Sequence, residues 1–430
     1  MRIIEIKDGM NKRKTLNELL KREDEDNLEI ENTVRDIINN IKRNGDVALK
    51  EYTYKFDRVE LENIKVSKEE VEEAIDIVGE EFLNILKEAS ENIRIYHEEE
   101  VETTWFKDFG PGIKLGQKIT PIKRVGLYVP GGTAGYPSTV LMTAIPAKVA
   151  GVKSLAMVTP PDSSGKVDPY ILAAAYVANI DEIYKVGGAQ AIAALAYGTE
   201  TIEPVYKIVG PGNIFVATAK KQVFGKVDID MIAGPSEIGI LADEKSNPRI
   251  IAADLLSQAE HDEMAAPIFI TTSKEQAEKV EEEVYKQIEK LPRKDINLKS
   301  IENYALGIIA RNKDEAIEWM NEFAPEHLEI LYDNPETYLD KITNAGAIFL
   351  GEYSPEPVGD YFAGPNHTLP TSGTAKFSSP LGVYDYFKRS SIIQYNKDAL
   401  EKVGDKVQKF AKKEGLFAHA NAIDIRFQED

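Results

Sequence analysis

Apolar residues recur at spacings of three and four over Thr33 to Arg43 and again over Asp46 to Phe56, on either side of Asn44-Gly45. This period predicts amphipathic helices. Ser67-Lys68-Glu69-Glu70 is a capping-box start for a long helical stretch towards Glu100. The charged residues here form a solvated face, His97 is expected at the surface, and the segment receives no catalytic role. From Arg124 the texture changes to short apolar runs that leave through glycine turns into helices. Strands are predicted over Val125 to Val129, Ser154 to Val158, Glu182 to Val186 and Tyr206 to Val209, with helices from Ser138, over Tyr170 to Asn179, Ala189 to Tyr197 and Ile214 to Phe224. A second series reads as strands Ile238 to Leu241, Ile268 to Thr271, Ala305 to Ile309 and Ala347 to Leu350, with Lys274 to Leu291 the plainest helix between them. Such alternation implies βαβ units and parallel sheets, with ligands at the carboxyl ends of the strands. Two α/β domains are expected, and the last fifty residues, with a helix over Lys397 to Lys412, read as an appended tail.

Composition narrows the class. The chain has 430 residues, 43% of them hydrophobic, which is enough for a sizeable interior and more than one domain. Its formal charge of −20 opposes binding to nucleic acid or anionic membranes. No apolar run approaches the ~20 residues that span a bilayer. The first residues, Met1 to Asp8, lack the apolar stretch of a signal peptide, so a cytoplasmic enzyme is expected.

The candidate chemistry lies in the histidines, because there are only five and the chain has no cysteine. A thiolate zinc site and a cysteine nucleophile are therefore excluded, and any metal must be held by imidazole, carboxylate or amide oxygen. Gln258 and His261 lie within a helix read over Arg249 to Met264, where a spacing of three puts both on one face, as a metal site or as an ordinary polar pair. Asp360 and His419 are candidates to complete a tetrahedral set, although distance along the sequence does not fix distance in space. Glu326-His327 follows Ala324-Pro325 at a helix-to-strand junction and suits acid–base work, since an imidazole exchanges its proton near neutrality. Adjacent residues of an extended strand point opposite ways, so a shared task requires irregular backbone there. Three turns, Pro130-Gly131-Gly132, Gly187-Gly188 and Gly210-Pro211-Gly212, each join a strand to a helix, where backbone N–H groups can take a pyrophosphate or glycine can simply permit the turn. None carries the full G-x-G-x-x-G fingerprint. Beside them, Tyr128, Gln190 and Asn213 can contact a dinucleotide or cap a helix.

Seven segments in order, Val125 to Gly132, Gly210 to Asn213, Ala233 to Glu237, Leu256 to Asp262, Ala324 to Leu328, Gly359 to Tyr361 and Glu414 to His419, closely resemble the histidinol dehydrogenase family. The resemblance implies oxidation of L-histidinol to L-histidine through L-histidinaldehyde with two NAD+, the last step of histidine biosynthesis. It implies one Zn2+ per subunit on Gln258, His261, Asp360 and His419, with Glu326 and His327 as the acid–base pair. Ser236, His367 and Glu414 would contact substrate, and Tyr128, Gln190 and Asn213 would line the NAD site. It also implies a homodimer in which Glu414 and His419 complete the partner's site. The fold expected is two Rossmann-like parallel-sheet domains, one inserted in the other, with a helical N-terminal segment and a C-terminal tail. Its divisions would be an arm over 1–25, a largely helical first part of the main domain over 26–128, an inserted NAD domain over 129–237, the rest of the main domain over 238–378 and a dimer-crossing tail over 379–430. Two competing readings differ in what they do with NAD+: a zinc hydrolase or lyase would not reduce it, and a two-lobed binding protein would take a small amine without turnover.

Overall fold

A computed structural model describes residues 1–20, 28–131, 135–180 and 182–428. Gly132 to Ala134 of the first glycine turn, and the end of the expected arm, lie outside the described residues. The chain forms two compact units, Met1–Glu100 with Ile122–Tyr386, and Val101–Pro121 with Phe387–Asp430.

The larger unit contains two parallel sheets. One has five strands in the spatial order Glu182–Lys185, Ser154–Thr159, Arg124–Tyr128, Lys207–Val209, Asp228–Ile229. Successive residues of a strand face opposite sides, and here each side has its own core. Val125, Leu127, Leu155 and Met157 pack with the helices Lys68–Glu98, Pro137–Val149 and Pro169–Val177. Ala156, Val158, Tyr184 and Ile208 pack with Leu28–Asp57, Gly188–Tyr197 and Ile214–Val223. Leu28–Asp57 and Lys68–Glu98 thus cover opposite faces of this sheet. Strand Arg124–Tyr128 lies at its centre, so a division drawn between 128 and 129 separates that strand from the sheet it belongs to. The capping box forms as read, with Ser67 accepting from the Glu70 N–H. The two helices expected around Gly45 meet there at a kink, where the backbone leaves helical geometry at φ 48°.

The second sheet has six strands in the order Arg2–Glu5, Leu306–Ile309, Ala266–Thr271, Glu237–Leu241, His327–Ile330, Ala347–Leu350. Leu241, Ile268, Ile270, Leu328 and Ile330 face the helices Lys12–Leu20 and Lys313–Phe323. Ile238, Ile240 and Phe269 face Pro248–Ala259 and Lys274–Ile288.

The smaller unit is built differently. Trp105–Gly110, Ile113–Pro121 and Phe387–Tyr395 form an antiparallel sheet, so the tail segment shares its fold with residues 101–121. The helices Lys397–Lys413 and Phe417–Asp424 follow. Among the described residues no helix is long and apolar enough to cross a membrane.

Candidate active site

The cluster of polar side chains is assembled by the strand His327–Ile330 and the helix Pro248–Ala259. Leu328 and Ile330 point into one apolar core, so His327 and Glu329 take the opposite face. That face meets the helix, where Asp254, Ser257 and Gln258, spaced by three and four, form a polar stripe. In a parallel crossover the helix runs back along the sheet, so its last turn returns to the amino ends of the strands. The cluster therefore sits at the amino ends of this sheet, a departure from the carboxyl-end location expected of parallel strands. The carboxyl end is filled by the protein's own groups: the Lys313 ammonium lies 2.7 Å from the Asp243 carboxylate and 4.2 Å from the Tyr332 ring centroid.

One residue of the neighbouring strand fixes both members of the Glu326-His327 couple. The Glu237 N–H donates to Glu326 Oε2 at 3.0 Å, and the Glu237 carbonyl lies 3.1 Å from His327 Nδ1. A carbonyl can only accept, so Nδ1 carries the proton and Nε2 is the exchanging atom. Nε2 faces Asp360 Oδ1 at 3.5 Å, and Glu326 Oε2 lies 3.8 Å from Nδ1. The irregular backbone that the pair requires is present: Ala324 ends its helix at φ 54°, and the strand begins only at His327, leaving Glu326 outside the alternation.

Burial pushes the Glu326 carboxyl up to about 8, with the His327 charge pulling against it. Burial also opposes charge on His327, but Glu326 and then Asp360 outweigh it and raise the imidazole to about 9. Asp360 is buried too, yet the His327 imidazole 3.5 Å away and the charge of His367 hold it well below the carboxylate range. Burial keeps His261 below the usual imidazole value, while it feels Asp360, His327 and His367 in turn. These interactions bring His261, Glu326, His327, Asp360 and His367 into one cluster. Ser236 immediately precedes the Glu237 strand at the same end, its carbonyl accepting from the Ala266 N–H at 2.9 Å.

Three carboxyl groups of this cluster were not singled out in the sequence. Glu356 presents one oxygen that lies, with ligand atoms of His327 and Asp360, within a 4.8 Å set able to hold a metal ion. It accepts from Ser257 Oγ at 3.0 Å, and burial followed by the Asp360 charge pushes it up to about 8. Its signal was a spacing of four from Asp360 on one short helix. Beyond it, Glu329 accepts from the Glu356 N–H at 2.9 Å, and burial followed by Asp254 raises it to about 9.

The structure changes two expectations. The helix holding Gln258 ends at Ala259, so His261 lies just past it, in a turn closed by its N–H on the Gln258 carbonyl at 3.1 Å. His97 is fully buried, its Nδ1 2.8 Å from the Ile93 carbonyl, because the end of its helix is held under residues 381–386 through Glu100 and the Val383 N–H. Gln190 is also buried within its helix, at 2% exposure.

Gln258 bears directly on metal binding. It has no exposed surface, and neither Oε1 nor Nε2 has a hydrogen-bond partner among the described residues. A buried amide without partners costs free energy unless a ligand satisfies it. Its oxygen, the His261 imidazole and the Asp360 carboxylate make a donor set of the kind zinc accepts. Glu414 and His419 belong to the smaller unit, where both are exposed.

The five-stranded sheet offers a second site. Numbering its strands along the chain, the spatial order is 3-2-1-4-5, and the strand order reverses between Arg124–Tyr128 and Lys207–Val209, which run parallel. The carboxyl ends beside such a reversal form the nucleotide crevice of doubly wound sheets. Tyr128 stands there, its hydroxyl accepting from the Gly188 N–H at 3.1 Å. A Cβ on Gly210, at φ 114°, would overlap the Tyr128 carbonyl oxygen, and one on Gly212 would come within 3.1 Å of the Tyr128 ring. The second and third glycine turns therefore converge on one tyrosine. Gln190 has a buried, unpartnered Oε1, whereas Asn213 caps its helix by accepting from the Phe215 and Val216 N–H groups at 3.1 and 3.2 Å.

The chain matches the histidinol dehydrogenase family over residues 20–427. It is 56% identical over 424 residues to the histidinol dehydrogenase of Clostridium acetobutylicum, covering 98% of each chain. It is 57% identical over 394 residues to that of Bacillus subtilis, covering 92% of each. The fold superposes on the crystal structure of histidinol dehydrogenase from Elizabethkingia anophelis with a TM-score of 0.93 at 39% identity, over 99% of this chain and 98% of that one. With sequence likeness spanning nearly its whole length and a matching fold, the chain belongs to the histidinol dehydrogenase family.

Proposed function

We propose that this protein oxidises L-histidinol to L-histidine through L-histidinaldehyde, the last step of histidine biosynthesis, in the cytoplasm, using two NAD+ and one Zn2+ per subunit. The observation that carries the reading is the Glu326-His327 couple, fixed by Glu237 and set beside Asp360 and the unpartnered Gln258 amide. Family membership supplies the substrate.

Gln258, His261 and Asp360 would hold the zinc, with His419 as the fourth ligand. Bound there, the ion would supply a positive charge that orients the substrate's nitrogens. NAD+ would supply the hydride acceptor from the crevice lined by Tyr128, Gln190 and Asn213. The remaining chemistry falls to the chain. His327 Nε2, once deprotonated, takes the alcohol proton as hydride leaves the adjacent carbon for NAD+, which yields the aldehyde. With no cysteine in the chain, the aldehyde cannot be captured as a thiohemiacetal, so water must add to it. Glu326, once ionised, takes the proton of that water, and the hydrate loses a second hydride to give the carboxylate. Ser236, His367 and Glu414 would contact the substrate.

A homodimer fits this reading, with Glu414 and His419 supplied by the partner. The small unit exposes Phe106, Phe109, Ile393, Phe410 and Phe417 at 53–73% of their surfaces, apolar surface that a partner subunit could cover.

The test is to supply the purified protein with histidinol and NAD+, with and without a chelator. NADH formation that the chelator abolishes is expected, and no NADH with zinc present would refute the reading. Asp360→Ala and His261→Ala should each lose zinc by elemental analysis, and full zinc content in both would discard the ligand set.

A further inference from the structure

A buried ion pair lies behind the third glycine turn. Lys220, on the helix that follows the turn, is 2% exposed at its side chain, and Asp230, just past the last strand of the five-stranded sheet, is 1% exposed. Their charged groups touch each other. Both also hold the same residue: Lys220 Nζ donates to the Gly210 carbonyl at 3.0 Å, and the Gly210 N–H donates to Asp230 Oδ2 at 2.7 Å. Asp230 Oδ1 also accepts from the Met231 N–H at 2.6 Å. Gly210 is therefore gripped through both of its backbone polar groups while it adopts φ 114° against Tyr128.

The proposed chemistry uses neither charge. A buried ion pair adds little net stability compared with an apolar pair of similar volume, because desolvation offsets its attraction. Charge-assisted hydrogen bonds are, however, strong and directional. Here they are aimed at a glycine that lines the crevice and packs so closely on Tyr128 that an added side chain would clash.

We propose that the Lys220–Asp230 pair is a positioning element for the dinucleotide: it fixes the Gly210-Pro211-Gly212 turn in the shape that receives NAD+, and so sets cofactor affinity without touching the reacting atoms. This rests on the reading that NAD+ binds in the crevice at Tyr128. The pair sits on the cofactor side of the molecule, so its removal weakens NAD+ binding and leaves histidinol binding alone.

The experiment uses the zinc-loaded full-length enzyme. The double variant K220M/D230N removes both charges together, so no lone charge is left buried, and the carboxamide introduced at position 230 keeps an oxygen for the Gly210 N–H. A melting temperature close to the parent's is expected, with KM for NAD+ raised at least fivefold, KM for histidinol within twofold and kcat at saturating NAD+ within twofold. NADH fluorescence titration without turnover should show the same loss of affinity. The single variant D230N, which keeps the side chain's shape, should raise KM for NAD+ in the same direction. KM for NAD+ within twofold of the parent in either folded variant overturns the proposal. Gln190→Ala separates that failure from the failure of the crevice reading. If Gln190→Ala raises KM for NAD+ and the ion-pair variants do not, only the positioning role falls; if none of them moves it, NAD+ does not bind there.

Discussion

Replacing Gln258 by methionine should make the metal-stripped protein more stable and the zinc-loaded protein less so. The side chain is fully buried, and its carboxamide has no hydrogen-bond partner among the described residues. Mutational data put the cost of burying such an amide at about 1–3 kcal/mol. Methionine has nearly the same length and shape and has no amide to desolvate, so the stripped variant should recover that amount. Unfolding entropy of about 2.1 cal/mol/K per residue converts it, for a chain of this length, into a rise of roughly 1–3 °C. Zinc reverses the order. At a thousandfold excess over its dissociation constant, a ligand that binds only the folded state adds about 4 kcal/mol, and the variant forfeits much of this with the amide oxygen. The assay is calorimetry with parallel urea titrations on chelator-treated and zinc-loaded samples of both proteins. A stripped variant less stable than the stripped parent by more than ~1 kcal/mol would refute the reasoning, because the amide must then be satisfied within the protein.

Three further predictions follow from the geometry. Glu326→Gln should slow oxidation of added histidinaldehyde by about 10²–10⁴-fold, the usual worth of a positioned base, while the first hydride transfer changes less; equal turnover of the aldehyde by variant and parent would remove Glu326 from hydration. Burial keeps Glu326 protonated up to about pH 8, and a base works only when deprotonated, so kcat for aldehyde oxidation should rise with pH through that value; a flat profile from pH 6 to 10 would contradict this. Glu182 is held below its ordinary value by its hydrogen bond to Arg124, at 2.6 Å, so its stabilisation is present in full above the unfolded value near 4.3 and fades as pH falls through the lowered folded one. Glu182→Gln should thus cost about 1.5–3 kcal/mol in urea melts between pH 5 and 8, and the deficit should shrink under more acid conditions.

Most strands of the two parallel sheets were legible because they are buried on both faces and read as unbroken apolar runs, whereas Arg2–Glu5 and Asp228–Ile229, short and partly exposed, were not read as strands. The antiparallel strands were not, since Trp105–Gly110 and Phe387–Tyr395 are exposed along nearly their whole length and so show no buried alternation. The residues of the acid–base cluster were legible as motifs, but their position at the amino ends of the sheet was not. That depends on where a crossover helix stops, one residue before Glu260, and on tertiary contacts invisible to local pattern. His97 shows the same limit: its charged neighbours suggested solvent, and a segment nearly three hundred residues away covers it. Glu329 and Asp254 have no mark nearby in sequence that sets them apart, and Glu356 has only its spacing of four from Asp360.

The small antiparallel sheet imposes an order on synthesis. Its hairpin, residues 105–121, leaves the ribosome early, but the strand that completes the sheet over nine paired positions is Phe387–Tyr395. Until those residues exist, the Ile113–Pro121 strand presents an open row of backbone donors and acceptors, the kind of edge that recruits stray strands from other nascent chains. A chain halted before Phe387 should therefore associate with other copies more readily than the finished chain.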